Sequence, residues 1–100
     1  MTNLTLEEQK VLERIESTIC DYFNVDADSI VNNDRTSNVT LARGFIIYVL
    51  HTKYGFSANK LAKIYFRTRR AIFWHLSKIG YIIKKQKMYI KIYEEICSKI

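Results

Sequence analysis

The chain has no proline and only three glycines, Gly44, Gly55 and Gly80, in 100 residues. With helix breakers this scarce and aliphatic and helix-forming residues throughout, the expected fold is an all-α bundle of about five to six helices joined by short connections. The three glycines lie too far apart for either phosphate-cradling arrangement, GxxxxGK[ST] or GxGxxG, so a nucleotide-hydrolysing loop is excluded. A chain of this length buries roughly two-thirds of its unfolded surface and needs no disulfide or metal to fold. It is read as one helical domain over 1–100.

Local signals place the helices. Thr5 followed by Glu8 forms a capping box, and Leu12, Ile15, Ile19 and Tyr22 or Phe23 recur at spacings of three and four, predicting a first helix over about 5–23. Asp26 or Asp28 is placed to cap a short turn holding Ile30 and Val31, with Asn32-Asn33-Asp34 as its polar exit and Arg35 on a loop. Asn38 is the expected cap of a third helix whose apolar residues, Leu41, Ala42 and Phe45 to Leu50, cover nearly its whole circumference. Such a helix belongs at the centre. Gly55 ends it, and Ser57 caps a fourth helix, Ala58 to Tyr65.

Thr68 then caps a fifth helix expected to stop at Gly80, so residues 57–79 have the lengths of a helix-turn-helix. The last segment, about 82–100, reads as an amphipathic closing helix with Tyr89, Tyr93, Ile96 and Ile100 on one stripe and Lys84, Lys85, Lys87 and Lys91 toward its start. Phe73 and Trp74, in the middle of the fifth helix, are read as core and rim packing, with a stacking platform as the alternative.

Charge divides the chain. Residues 1–34 carry two basic and eight acidic side chains; residues 35–100 carry fourteen basic ones against Glu94 and Glu95 alone. Such polarity draws a polyanion to one side, with nucleic acid the commonest partner and membrane headgroups the other candidate. The densest cluster, Arg67-Thr68-Arg69-Arg70-Ala71, falls on the turn and first turn of the fifth helix. There a helix-turn-helix meets base edges, and arginine matches the paired acceptors of guanine.

Other chemistries find no support. Cys20 and Cys97 lie near opposite ends and apart from His51 and His75, so neither a metal site nor a cofactor is expected, and no nucleophile with base or paired carboxylates stands at usable spacing for an enzyme. The longest apolar run, Phe45 to Leu50, is far below the ~20 residues of a membrane helix, and the opening residues lack a secretory pattern, so a cytoplasmic chain without membrane attachment is expected.

Several stretches resemble the C-terminal DNA-binding domain of the bacterial chromosomal replication initiator, DnaA, a Trp-repressor-like helical domain. The stretch Asp21-Tyr22-Phe23, Val25, Ile30 and Arg35 matches the family's opening helix and loop arginine. Arg35-Thr36, Val39 and Arg43 match its Arg-Ser-x-x-Val-x-x-x-Arg run without a gap. Ser57, Tyr65 and His75 match the serine, aromatic and histidine that frame its helix-turn-helix. The resemblance implies double-stranded DNA as partner, with Arg35 entering the minor groove, Arg43 and the Ser57 helix start on phosphates, and His75 either on a phosphate or packed within its helix. Lys60, Lys63, Arg67 and Thr68 are read as lying along the same DNA-facing surface.

The signature itself differs. Where the family has Phe-Gly-Gly-Arg-Asp-His-Thr-Thr-Val-x-His, this chain has Tyr65-Phe66-Arg67-Thr68-Arg69-Arg70-Ala71-Ile72-Phe73-Trp74-His75. Arg69, Arg70, Ala71 and Ile72 stand at the family's base-reading places, and arginine in place of aspartate shifts the expected preference from cytosine toward guanine. The expectation is a free-standing DNA-binding module without the family's ATPase. A protein-interaction adaptor for a replication or mobile-element system, docking through the acidic first helix (Glu7, Glu8, Glu13, Glu16), is the alternative.

Overall fold

The computed structural model describes residues 4–31 and 36–100, and Asn32, Asn33, Asp34 and Arg35 lie outside the described residues. The described residues form six helices in order: α1 (Leu6–Phe23), α2 (Ala27–Val31), α3 (Ser37–Tyr54), α4 (Ala58–Tyr65), α5 (Arg69–Lys85) and α6 (Lys87–Lys99). Among the described residues there is no strand.

α1 starts where its capping box dictates. The Thr5 amide donates to Glu8 Oε1 at 3.0 Å, and the Glu8 amide donates to Thr5 Oγ1 at 3.1 Å. Leu12, Ile15, Ile19 and Cys20 form its buried stripe. α3 is the hub: Val39, Ala42, Gly44, Phe45, Ile46, Ile47, Val49 and Leu50 are all buried, and α1, α2 and α5 pack around it. Its cap differs from expectation. Thr36 occupies the N-cap position, while Asn38 lies inside the helix with its amide directed to the Phe23 carbonyl. Gly55 closes α3 at φ 72°, a left-handed position that glycine takes without steric cost.

The larger correction concerns the last two helices. α5 does not stop at Gly80 but runs to Lys85, and the break falls at Gln86, whose backbone is extended (φ −121°, ψ 117°). A glycine inside a helix costs only about 1 kcal/mol relative to alanine. Continuing the helix places Ile82 and Ile83 beside the buried Ile79 on the core side, and that packing outweighs the penalty. α6 then lies against α5 and α1, with Tyr89, Tyr93, Ile96 and Ile100 turned to the core. Aromatic rings join the layers: Phe23 of α1, Phe45 of α3 and Tyr89 of α6 follow one another at centroid separations of 5.6 and 6.5 Å.

Gly44 fixes how closely α3 and α5 approach. A methyl group there would sit 2.9 Å from both Cγ1 and Cδ1 of the buried Ile79, whereas one on Gly80 would meet only Tyr48 Cε1, at an ordinary 3.6 Å. Gly80→Ala is therefore expected to stabilise the protein by about 1 kcal/mol, and Gly44→Ala to lose stability, since overpacking costs about 1 to 3 kcal/mol. Urea unfolding of the two variants checks this. Destabilisation by Gly80→Ala would mean that the helix ends there.

Candidate nucleic-acid interface

α4 and α5 are joined by a three-residue connection, Phe66-Arg67-Thr68, and each helix begins with a side-chain cap. Ser57 Oγ accepts from the Lys60 amide and Thr68 Oγ1 from the Ala71 amide, both at 3.1 Å. Leu61 and Tyr65 of α4 and Ile72, His75 and Ile79 of α5 are buried, which fixes the two helices against the core. The Tyr65 hydroxyl reaches across to α1 and donates to Glu16 Oε2 at 2.8 Å. Burial raises the pKa of both groups. A second tie runs from Lys60 to Glu8, which form an ion pair. His51 closes the α3–α4 corner, its Nδ1 lying 2.8 Å from the Phe56 carbonyl oxygen.

With that inward set fixed, helical spacing decides what faces out. Arg69 and Arg70 are exposed on the first turn of α5, Thr68 just before it is exposed, and Arg67 is half-buried in the connection. Ser57 and Lys63 are exposed, and Lys60 and Ala71 are half-buried. No acidic residue occurs between positions 35 and 93, so this surface is cationic without internal neutralisation from its own helices.

Three expected contact residues are turned elsewhere. Ile72 is fully buried in the core and has no edge to offer a base. Arg43 is buried in α3, where Nε donates to the Ile30 carbonyl at 2.7 Å and Nη2 to the Ser29 carbonyl at 3.1 Å. It clamps α2 onto α3 rather than extending toward a phosphate, because those carbonyls end a helix too short to satisfy them internally. His75 is buried beneath α5. Desolvation, with the charges of Arg43, Arg67 and Lys78 adding to it, lowers its pKa to about 4, so it is neutral near pH 7. Arg35 lies outside the described residues.

The core packing expected of Phe73 and Trp74 is not found: both are exposed, as is Phe66, which adopts φ 53° as the residue ending α4. Their positions relative to Ile72, His75 and Ile79 carry the signal, since a residue one or two places from each buried position falls on the outer face.

Two consequences are measurable. Arg43→Met should lower unfolding stability by about 2 to 3 kcal/mol, because the Ile30 and Ser29 carbonyls lose charged donors in a buried setting; urea titration reads this. The folded pKa of His75 lies below its ordinary 6.5, so the unfolded state binds the proton first and stability falls as pH drops from about 6.5 toward 4. Thermal unfolding across that window should show a steeper loss for the wild type than for His75→Gln, and parallel curves would refute the assignment.

A model of the bacterial DnaA protein helix-turn-helix matches residues 12–79. The chromosomal replication initiator protein DnaA of Pseudothermotoga lettingae is 29% identical over 89 residues, covering 89% of this chain and 19% of that protein. The corresponding protein of Thermosipho africanus is 23% identical over 93 residues, covering 93% of this chain and 21% of its own length. The chain thus spans about a fifth of the length of the curated relatives it matches. The matched segment begins inside α1 and ends at the buried Ile79, so it takes in the α3 hub, both capped helices and the cationic turn between them, and on that basis the chain belongs to the bacterial DnaA helix-turn-helix family.

Proposed function

We propose that this chain binds double-stranded DNA sequence-selectively, with the first turn of α5 in the major groove. The observation that carries the reading is the placement of Arg69 and Arg70, exposed at the N-terminal turn of the second helix of a helix-turn-helix. Cations are disfavoured there by the helix dipole, by about 0.3 to 1 kcal/mol each, and α5 has no acid in its first turn to offset it. A phosphate backbone and the N7 and O6 acceptors of guanine supply the missing partner.

The remaining contacts follow from exposure. Lys63, Arg67, Thr68 and the Ser57-capped start of α4 lie along phosphates, and Ala71, half-buried beside Arg70, offers its methyl group at the groove edge. Lys60 joins them by exchanging Glu8 for a phosphate. Arg35 is assigned to the adjacent minor groove on the family pattern. No catalytic step is assigned: binding is the activity. Docking of a basic protein on α1 is the weaker reading, because Glu8 and Glu16 are already engaged by Lys60 and Tyr65.

Selection of bound duplexes from a random pool, followed by titration of variants, tests the proposal. Arg69→Ala and Arg70→Ala should each cost about 1 to 3 kcal/mol on the selected site and relax its preference for guanine. Lys63→Ala should weaken all duplexes alike and lower the salt slope by about one. Equal losses on every sequence for all three variants would defeat the base-reading role, and no retardation of random duplex at low salt would defeat DNA binding itself.

A further inference from the structure

The duplex reading uses arginines, lysines and helix caps, and leaves three large rings unexplained. Phe66 is 83% exposed, Phe73 47% and Trp74 52%, all between the helix-turn-helix connection and the second turn of α5. None is needed to fill the core, which Ile72, His75 and Ile79 complete on the opposite side of α5. Phe66 is the costliest of them. Its φ of 53° is a left-handed position that bulky side chains rarely adopt, and its ring gains almost no burial in return.

Phe73 and Trp74 on α5 each have a cation beside them. Arg69 Cζ lies 5.9 Å from the Phe73 ring centroid and Lys78 Nζ 4.8 Å from that of Trp74. Arg67 follows Phe66 directly in the chain. Exposed rings interleaved with cations, on a surface without acids, match the chemistry of an unpaired nucleotide: a base stacks on the ring and the neighbouring cation takes its phosphate. An apolar protein partner would want rings without flanking charge, because each cation buried in such an interface loses its hydration.

We propose that Phe66 and Trp74, with Phe73 between them in sequence, form a stacking surface for the bases of single-stranded DNA. This second binding mode rests on the reading of α5 as the face turned to nucleic acid. It adds bases that have left the duplex to the ligands of that face.

Trp74 is the chain's one tryptophan, so its emission reports on the site directly. The whole chain is titrated at low salt with a thymidine oligonucleotide of about 12 residues, within the span that such surfaces cover, and with an abasic oligonucleotide of equal length and charge. Stacking predicts quenching by the first and at least about tenfold weaker binding of the second. Phe66→Gly removes the ring while giving the backbone a residue suited to φ 53°, so the fold is not endangered. Phe66→Gly and Trp74→Ala, followed by anisotropy of labelled DNA, should each weaken single-strand binding about tenfold and leave duplex affinity within about twofold. Equal binding of base-bearing and abasic strands, an unchanged emission, or equal losses on duplex and single strand would overturn the proposal. Failure of the duplex arm alone would remove the groove assignment and leave stacking standing.

Discussion

The burial of α3 on every side is the constraint from which the rest of the molecule follows. A helix that presents Val39, Ala42, Phe45, Ile46, Ile47, Val49 and Leu50 to the interior has no face left for solvent along its middle, so α1, α2 and α5 must cover it. Gly44 lets α5 come close enough for Ile79 to lie where a side chain would otherwise be. Once Ile79 is seated there, Ile72 and His75 share its side of α5 by helical spacing, and Arg69, Arg70, Phe73 and Trp74 are forced outward. The cationic surface is thus a consequence of the core. It is set by where α5 must bury its isoleucines, and no separate interaction has to hold the arginines out.

Most of the helical plan is legible in the sequence because its signals are local. Thr5, Ser57 and Thr68 cap the helices that their positions announce, and Gly55 ends α3 in the left-handed conformation expected of it. The misplaced boundary at Gly80 is of another kind. Local propensity marks glycine as a stop, but a penalty of about 1 kcal/mol is smaller than the gain from aligning Ile79, Ile82 and Ile83 on one helix over α3 and α6. The same competition explains Phe73 and Trp74. Their bulk suggests packing, yet the positions available inside are already taken by Ile72, His75 and Ile79.

The site is less legible than the fold because side-chain direction is a tertiary property. Arg43 and His75 stand in register with the family pattern, and the match is sound as sequence. What the pattern cannot convey is that the Arg43 guanidinium finds two carbonyls at the end of α2 within 3.1 Å, or that His75 is enclosed under α5. A buried guanidinium needs acceptors for its donors, and a short helix needs donors for its terminal carbonyls, so the two requirements satisfy each other. Arg69 and Arg70 are exposed for the opposite reason, since the N-terminal turn of α5 offers amide donors and no carbonyl acceptors.

Charge segregation along the chain takes on a structural meaning as well. The acidic N-terminal third supplies Glu8 to Lys60 and Glu16 to Tyr65, so two carboxylates of α1 tie α4 to it. Both contacts lie on α4, the helix that supports the recognition turn, and neither reaches α5. The consequence is a division of labour between adjacent cations. Lys60 is already neutralised and must trade one anion for another on meeting a phosphate, a near-balanced exchange that adds little net affinity. Arg69 and Arg70 face a helix N-terminus that disfavours them and have no carboxylate on their own helix's first turn, so an incoming anion relieves an unfavourable arrangement without displacing a carboxylate of that turn. On the proposed duplex reading, the electrostatic gain would therefore be concentrated at Arg69 and Arg70, the two side chains assigned there to a base edge.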